Sequence, residues 1–349
     1  MIIIEDKNVT VNKMLKLFTE GKAKFYASTG KISSKLNVFY NPVMKLNRDV
    51  SVWLVNKIKP KTVCCPMAAS GVRALRFALE THAKKIFAND LSKNAYKIMQ
   101  RNVRLNKVNI ELSNSNLKDL MQNQKFDYID LDPFGTPVYY LEPCINALND
   151  NGVLAVTATD TSCLYGRYVN ACKRKYGSRP LRCGFSKEVG ARVLISKVLQ
   201  TANLKPIFAH SSNHYLRVYF KKTKTRQNNL GYILYCSRCL SFKKLKKLVN
   251  ENCCGKRMEH AGPLWLGRLW SDSLIKEFNL IPFIQDEAKI NEIGFYDMHD
   301  IASKYKKELV KIDSLIKKLA AHKFKASRTH FNLVGVKTNA NIKKIVSLF

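Results

Sequence analysis

The sequence predicts an α/β protein: a doubly wound, Rossmann-like sheet with an N-terminal extension, then a smaller α+β domain. Three observations carry this. Short apolar strands alternate with helical patterns from residue 62 to residue 203, as expected of a parallel sheet with crossover helices. A pair of strand-like segments, 206–211 and 214–221, closes that series as a hairpin. A polar, basic stretch, KKTKTRQNN at 221–229, then reads as a linker. The expected domains are 1–222 and 223–349.

The elements follow in order. Residues 1–50 read as an irregular or β-rich extension containing EGKAKFYA and VFYNPVMKLNRD. Arg48 and Asp49 open a helical pattern of Val50, Trp53, Leu54, Val55 and Ile58, which Pro60 ends. Strands are expected at 62–68, 85–90, 110–115, 126–132 and 152–159. Helices are expected at 71–80, 95–106, 139–149 and 188–203. In the second domain, IASKYKKELVKIDSLIKKLAAH reads as one long amphipathic helix, and SRTHFNLVGVKT as strand and loop. No internal repeat or low-complexity tract interrupts the chain.

Composition narrows the function. The chain has 349 residues, 46% of them apolar, with 60 Lys+Arg against 26 Asp+Glu and a formal net charge of +34. The excess is spread over both expected domains, so it is not a basic tail. Such a field favours a polyanionic partner such as folded RNA; a merely lysine-rich proteome is the bland alternative. No run of 18 apolar residues exists, and Glu5 and Asp6 follow the short opening run of MIIIEDKNVT. Neither a membrane span nor a signal peptide is expected. Ten cysteines in such a chain suit reduced thiols or metal ligands better than a disulfide framework. The expected compartment is the cytoplasm.

The most informative segment is FDYIDLDPFGTP, Phe126–Pro137. It reads as a buried strand ending in Asp132, after which Pro133 stops the ladder and Gly135 turns the chain. Ligands of open α/β sheets bind at the carboxyl ends of strands. There Phe134 offers a stacking face, and Asp132 can accept a hydrogen bond or proton from an exocyclic amine. The alternative is an ordinary turn whose Asp caps local backbone. Upstream, PMAASGVRALR (66–76) places small residues, Ala68, Ala69, Ser70 and Gly71, at the first strand-to-helix turn. This lets a ligand approach the backbone. It is not a dinucleotide fingerprint, and no Walker motif exists. About 20 residues on, FAND ends the second strand in Asp90, where an acid commonly holds ribose hydroxyls; helix capping is the competing role. Together these features fit a pocket for S-adenosylmethionine.

EGKAKFY, VFYNPVMKLNRDVSV, AASGVRALR, AND, DLDPFGTP, VTATD, CKRKYGSRP, HYLRVY, GPLWLG, and SRTHF with VKT stand in collinear order across nearly the whole chain. In them the chain resembles the tRNA (guanine-26-N2)-dimethyltransferase family, archaeal type. The resemblance implies a class I methyltransferase fold. It also implies transfer of one or two methyl groups from S-adenosylmethionine to the amino nitrogen of guanine 26. It places cofactor contacts at Arg48, Arg73, Asp90, Asn116 and Leu117, the catalytic carboxylate at Asp132, and base stacking at Phe134 and Phe39. From the residues alone, Phe39 is equally a core aromatic. The chain departs from the family pattern at Asn116-Leu117, where Asp-Ala is usual, and at Asn213, where Asp is usual.

Cys236-x-x-Cys239, followed by Cys253-Cys254, resembles a zinc ribbon or knuckle, which binds one ion through four thiolates. Adjacent cysteines rarely both ligate one ion without strain. Glu251 stands where a regular second pair would begin, and His260 is a substitute ligand candidate. A degenerate site of reduced thiols is the alternative. Lys173, Arg174, Lys175 and Arg179, with Tyr176, are expected in a loop gripping tRNA phosphates. The 243–247 KKLKK run and SRTHF are expected on more distant backbone. Each of these is equally a solvated face. The expected partner is tRNA, with no membrane, no obligate protein partner and a monomeric chain. Two other functions stay open: methylation of another exocyclic amine, in rRNA or DNA, and RNA binding without catalysis.

Overall fold

The computed structural model describes residues 15–30 and 36–349; the opening string and its reading lie outside the described residues. Within the extension, β1 (Leu15–Glu20) and β2 (Ala23–Ser28) pair antiparallel, Leu15 opposite Ser28 and Glu20 opposite Ala23. Gly21, at φ 56°, makes the turn. Asn41 then caps a 3-10 turn at Pro42–Met44, its side chain accepting from Val43 N. That turn runs into α1 (Lys45–Ile58), which starts three residues before Arg48. It ends at Lys59, in the left-handed region before Pro60.

The alternating series follows as β3 (Thr62–Cys65), α2 (Val72–Glu80), β4 (Lys85–Asn89), α3 (Lys93–Asn106), β5 (Glu111–Ser113), α4 (Leu117–Asn123) and β6 (Phe126–Leu131). Next come α5 (Leu141–Asn146), β7 (Leu148–Ala158), α6 (Thr161–Leu164), α7 (Val169–Tyr176), α8 (Ser186–Thr201), β8 (Leu204–Ser212) and β9 (Tyr215–Lys222). Seven strands form one sheet in the order β5-β4-β3-β6-β7-β9-β8. β3 is parallel to β4 and β6, and β4 to β5; β9 is antiparallel to β7 and β8. This is the predicted class I arrangement. Strand order reverses between β3 and β6, where such sheets bind ligands.

Two details differ from the sequence reading. The helix expected at 139–149 shrinks to α5, because Ala147 O accepts from Phe126 N at 2.8 Å and Leu148 opens β7. The stretch 173–176 is helical rather than a loop: Cys172 and Tyr176, four residues apart, make the buried face of α7. The turn between β8 and β9 accommodates one family departure. Asn213 sits there at φ 48°, a conformation Asn tolerates better than most residues.

Beyond the linker stand β10 (Leu230–Tyr235), β11 (Phe242–Leu245), β12 (Asn252–Cys253), β13 (Lys256–Arg257) and β14 (Glu259–Trp265). After them come α9 (Asp272–Ile275), α10 (Ile284–Ala288), β15 (Tyr296–Asp297), α11 (Met298–Tyr305), α12 (Ile312–Ala321), β16 (Ala326–Thr329), β17 (Asn332–Thr338) and α13 (Ile342–Leu348). They form sheets β11-β10-β14, β12-β13 and β15-β17-β16. The single long helix expected here is two. Lys306 closes α11 at φ 52°, its amide bonded to Ala302 O. Leu309, just beyond the break, is left exposed rather than packed. No helix among the described residues is long and apolar enough to cross a membrane.

Two compact units divide the chain: Met1–Leu131 with Asn146–Gly152, and Asp132–Ile145 with Val153–Phe349. In the first, Phe77 and Tyr128 meet edge-on at 5.7 Å, among buried Val63, Leu75 and Ile129. In the second, α8 packs against β8, β9 and β14. Its Val193, Leu194 and Ile195 are fully buried, each contributing about 1.5–3 kcal/mol. The same helix carries Glu188 into a buried ionic cluster. Lys337 Nζ lies 2.8 Å from Glu188 and 3.7 Å from Glu287; Arg192 lies 2.8 Å from Glu188; His330 Nδ1 lies 2.7 Å from Glu287. Thr329 donates to Glu287 at 2.8 Å.

Candidate active site and thiol cluster

In the first unit, the turn from β3 to α2 is shaped by two positive-φ backbone conformations. Gly71, the helix N-cap, has φ 78° and Ala69 has φ 48°. Ala68 N donates to Asn89 O, and Ala69 N to Asp90 Oδ2, both at 2.8 Å. The other Asp90 oxygen accepts from Ser92 N at 2.9 Å. Asp90 therefore braces the turn against the start of α3. A carboxylate has about four lone-pair sites, which leaves acceptor capacity for ribose hydroxyls, so the donor set fits S-adenosylmethionine. Asn89, which the sequence reading passed over, is the hub beneath it. Its amide donates to Pro66 O and Ser115 O, and its oxygen accepts from Ser113 Oγ and Ser115 N. Only its place in the string AND hinted at this.

Asn116 is the N-cap of α4, its Oδ1 accepting from Lys118 N at 2.9 Å, and Leu117 is buried. Asn thus performs the capping that the usual Asp would perform. Arg48 grips Glu20 with two nitrogens, at 2.7 and 2.5 Å, and donates to Asn41 O. Arg76 joins the same carboxylate at 3.0 Å. Burial works to raise the Glu20 carboxyl, but these two guanidiniums hold it below its usual value. Arg73 donates to Ser51 Oγ and Asn47 Oδ1 and lies 3.1 Å from Asp130, which also accepts from the Tyr128 hydroxyl. Both predicted cofactor arginines are therefore buried ion-pair partners inside the first unit. Phe39 is half-buried between buried Val38 and Tyr40.

In the second unit, Asp132 directly follows β6 and is half-buried. Pro133 is buried, while Phe134 is 52% exposed. Gly135, at φ 77°, turns the chain. It is pinned twice to the end of β7: Gly135 N donates to Thr159 Oγ1 at 2.7 Å, and Thr159 N donates to Gly135 O at 2.9 Å. The strand-end acid and ring are thus carried on a braced turn.

Residues 5–349 match the family described as N2,N2-dimethylguanosine tRNA methyltransferase. The chain belongs to this family. It is 35% identical over 357 residues to the Aquifex aeolicus tRNA (guanine(26)-N(2)/guanine(27)-N(2))-dimethyltransferase, covering 90% of each chain. It is 34% identical over 375 residues to the Pyrococcus abyssi tRNA (guanine(26)-N(2))-dimethyltransferase, covering 94% of this chain and 97% of the relative. Its fold matches that of Trm1 from Pyrococcus horikoshii in complex with S-adenosyl-L-methionine. The TM-score is 0.83 at 31% identity, over 96% of this chain and 99% of that one.

This member of the family also gathers its four candidate thiols. The Sγ atoms of Cys236, Cys239, Cys253 and Cys254 all lie within 4.8 Å of one another. The Cys239–Cys253 and Cys253–Cys254 separations are 3.5 and 3.7 Å. Four thiolates about 2.3 Å from a tetrahedral zinc stand about 3.8 Å apart, so the cluster has the right size. The adjacent pair converges because Cys254 and Gly255 form the β12–β13 turn at φ 53° and 68°. This turn needs positive φ at both central residues. Burial acts to raise the Cys239 thiol, but hydrogen bonding with Ser241, Cys236 and Cys253 brings it down to about 6. His260 lies in β14 opposite Leu234, outside the cluster.

The basic segments divide by burial. Lys173 and Arg174 are exposed on the last turn of α7, whereas Tyr176 is fully buried and so is no phosphate contact. Lys243, Lys244, Lys246 and Lys247 are exposed along and beyond β11. Lys244 and Lys246 help line a cavity of about 420 Å³ with Arg268 and Asn229. SRTHF is interior at its centre: Thr329 and Phe331 are buried and His330 joins the Glu287 cluster, while Arg328 makes a solvent-facing pair with Asp313 at 2.8 Å.

Proposed function

We propose that this chain methylates the exocyclic N2 of guanine 26 in tRNA, using S-adenosylmethionine, to give N2,N2-dimethylguanosine. The observation that carries this reading is the Asp132-Pro133-Phe134-Gly135 turn, braced by Thr159 at a strand end. It stands in a chain similar over nearly its whole length to guanine-26 dimethyltransferases.

S-adenosylmethionine supplies an electrophilic methyl group whose departing sulfur becomes a neutral thioether. Guanine N2 is a poor nucleophile, because its lone pair is delocalised into the ring. Asp132 accepts one N–H hydrogen bond, turning the lone pair toward the methyl, and takes the proton as the N–C bond forms. The carbonyl of Pro133 receives the second N–H. Phe134 stacks on the flipped-out base, with Phe39 as a second ring. Stacking of this kind contributes ~1–3 kcal/mol per base, against unstacking that costs a few kcal/mol. Asp90 holds the ribose. Arg48, Arg73, Asn116 and Leu117 complete the cofactor site in addition to their internal bonds. Exposed cations of α7 and β11 hold tRNA phosphates. The enzyme acts as a cytoplasmic monomer, with residues 1–222 catalytic and 223–349 gripping tRNA.

The test is transfer of labelled methyl to an unmodified tRNA transcript carrying guanine 26, beside one carrying adenine 26. N2-methylated guanosine is expected only in the first. Equal label in both would point to another base, and label in neither to another RNA or to binding alone.

The four thiols hold one structural zinc in this reading. Protein grown with zinc and purified without chelators is expected to contain about one zinc per chain, and Cys236→Ser to lose it. Stripping the metal is expected to lower the melting temperature. Zinc-free wild-type protein would remove the zinc site.

A further inference from the structure

The Asp132–Pro137 turn has a second anchor that the chemistry above does not use. Thr136 Oγ1 donates to the Tyr176 hydroxyl at 3.0 Å, and that hydroxyl donates to Asp160 Oδ1 at 2.6 Å. Tyr176 is fully buried. Its pKa lies well above the usual tyrosine range, through burial and the neighbouring Asp160 charge. The phenol therefore stays protonated and serves only as a link. Asp160 precedes α6 as its N-cap residue but makes no side-chain capping bond. Its carboxylate instead takes Tyr176 on one oxygen and Lys175 Nζ, at 3.3 Å, on the other.

The segment just beyond is tied elsewhere. Arg179 and Gly262 exchange two backbone hydrogen bonds at 2.9 Å, and Ser178 Oγ donates to Pro263 O. Lys173–Arg179 thus meets the base-binding turn at one end and β14 at the other. The cations of α7, Lys173, Arg174 and Lys175, immediately precede these anchors. Two motifs the reaction leaves unexplained, CKRKYGSRP and GPLW, meet here.

We propose that Tyr176 is a positioning residue for methyl transfer. Through Thr136 it fixes the angle at which Asp132 and Phe134 meet the guanine, and so ties the turn to the RNA-facing helix α7. This rests on the role given above to the Asp132 turn. A misplacement of about 1 Å at a reacting centre costs up to 10²-fold in rate, and a turn released at one of two anchors is open to a shift of that size.

Tyr176→Phe keeps the ring and removes both hydrogen bonds. Its kcat is expected to fall roughly 10–10²-fold, with KM for tRNA and affinity for S-adenosylmethionine within about twofold. Thr136→Val should lose a similar factor, Thr136→Ser should retain the wild-type rate, and the Tyr176→Phe/Thr136→Val pair should be no slower than the worse single variant. Melting curves taken alongside separate a slow folded enzyme from an unfolded one. Losses that multiply in the pair, or that appear wholly in KM or in melting, would overturn the proposal. Asp132→Ala is run in the same assay. Wild-type speed in Tyr176→Phe beside an inactive Asp132→Ala sinks this proposal alone. Wild-type speed in Asp132→Ala sinks the reading of the turn, and this proposal with it.

Discussion

Asp132→Ala is expected to lower methyl transfer about 10²–10⁴-fold, the usual contribution of a positioned general base, while tRNA affinity stays within about twofold. Affinity is spared because RNA is held over a broad cationic surface, most of it far from this side chain in sequence. The proposed stacking on Phe134 is also left in place. Asp132→Asn separates the two duties of the carboxylate. The amide oxygen can still accept one N–H and orient the amine, but it cannot take the proton. An Asn variant as slow as the Ala variant assigns the effect to proton removal, whereas an intermediate rate assigns part of it to orientation. Wild-type turnover in Asp132→Ala would exclude it as the base.

The second large effect is on stability. Lys337→Met removes a cation that lies 2.8 Å from Glu188 and 3.7 Å from Glu287, all three buried. Breaking a buried ion pair costs about 3–5 kcal/mol, because it strands a charge, so the urea midpoint should fall clearly at neutral pH. The pH dependence has a definite sign. Burial by itself raises the Glu188 carboxyl, but Lys337 and Arg192 outweigh it and hold it at about 2. An unfolded glutamate titrates near ~4.3. The cluster's contribution is therefore complete above that value and is lost as pH falls toward 2. In Lys337→Met the glutamates can protonate at higher pH and shed the penalty, so the gap between variant and wild type should narrow on acidification. A gap independent of pH would mean that Lys337 acts through packing alone. Glu188→Gln combined with Lys337→Met should recover much of the loss.

The sheet was legible because each strand is a short apolar run with a turn residue after it; β6 announces its end by Asp132-Pro133. The position of Asp90 beside the first turn was legible from its spacing. The partners of Arg48 and Arg73 were not, since Glu20 and Asp130 are far away in sequence and no periodicity links them. Tyr176 was misread because a tyrosine among cations resembles an RNA contact. Its four-residue spacing from Cys172, the mark of a buried helical face, was there to be used. SRTHF was misplaced for a related reason: its histidine looks like a surface group until Glu287 is brought to it. The adjacent cysteines looked incompatible with one ion because the left-handed turn at Cys254 cannot be read from residue types alone. The break at Lys306 was hidden by lysines that suit the exposed face of a continuing helix equally well.

The buried ion pairs alter what the outside of the molecule looks like to its surroundings. Glu20, Asp130, Glu188 and Glu287 all lie in the interior, each facing a cation there. Each is withdrawn together with a cation, so the positive surplus stays on the exterior while fewer acids are left among the surface lysines. The protein's exterior is therefore more one-sidedly cationic than its composition implies. Its long-range attraction for a polyanion is moderated mainly by dissolved salt, so ionic strength acts as the external control on how readily it lets go of RNA.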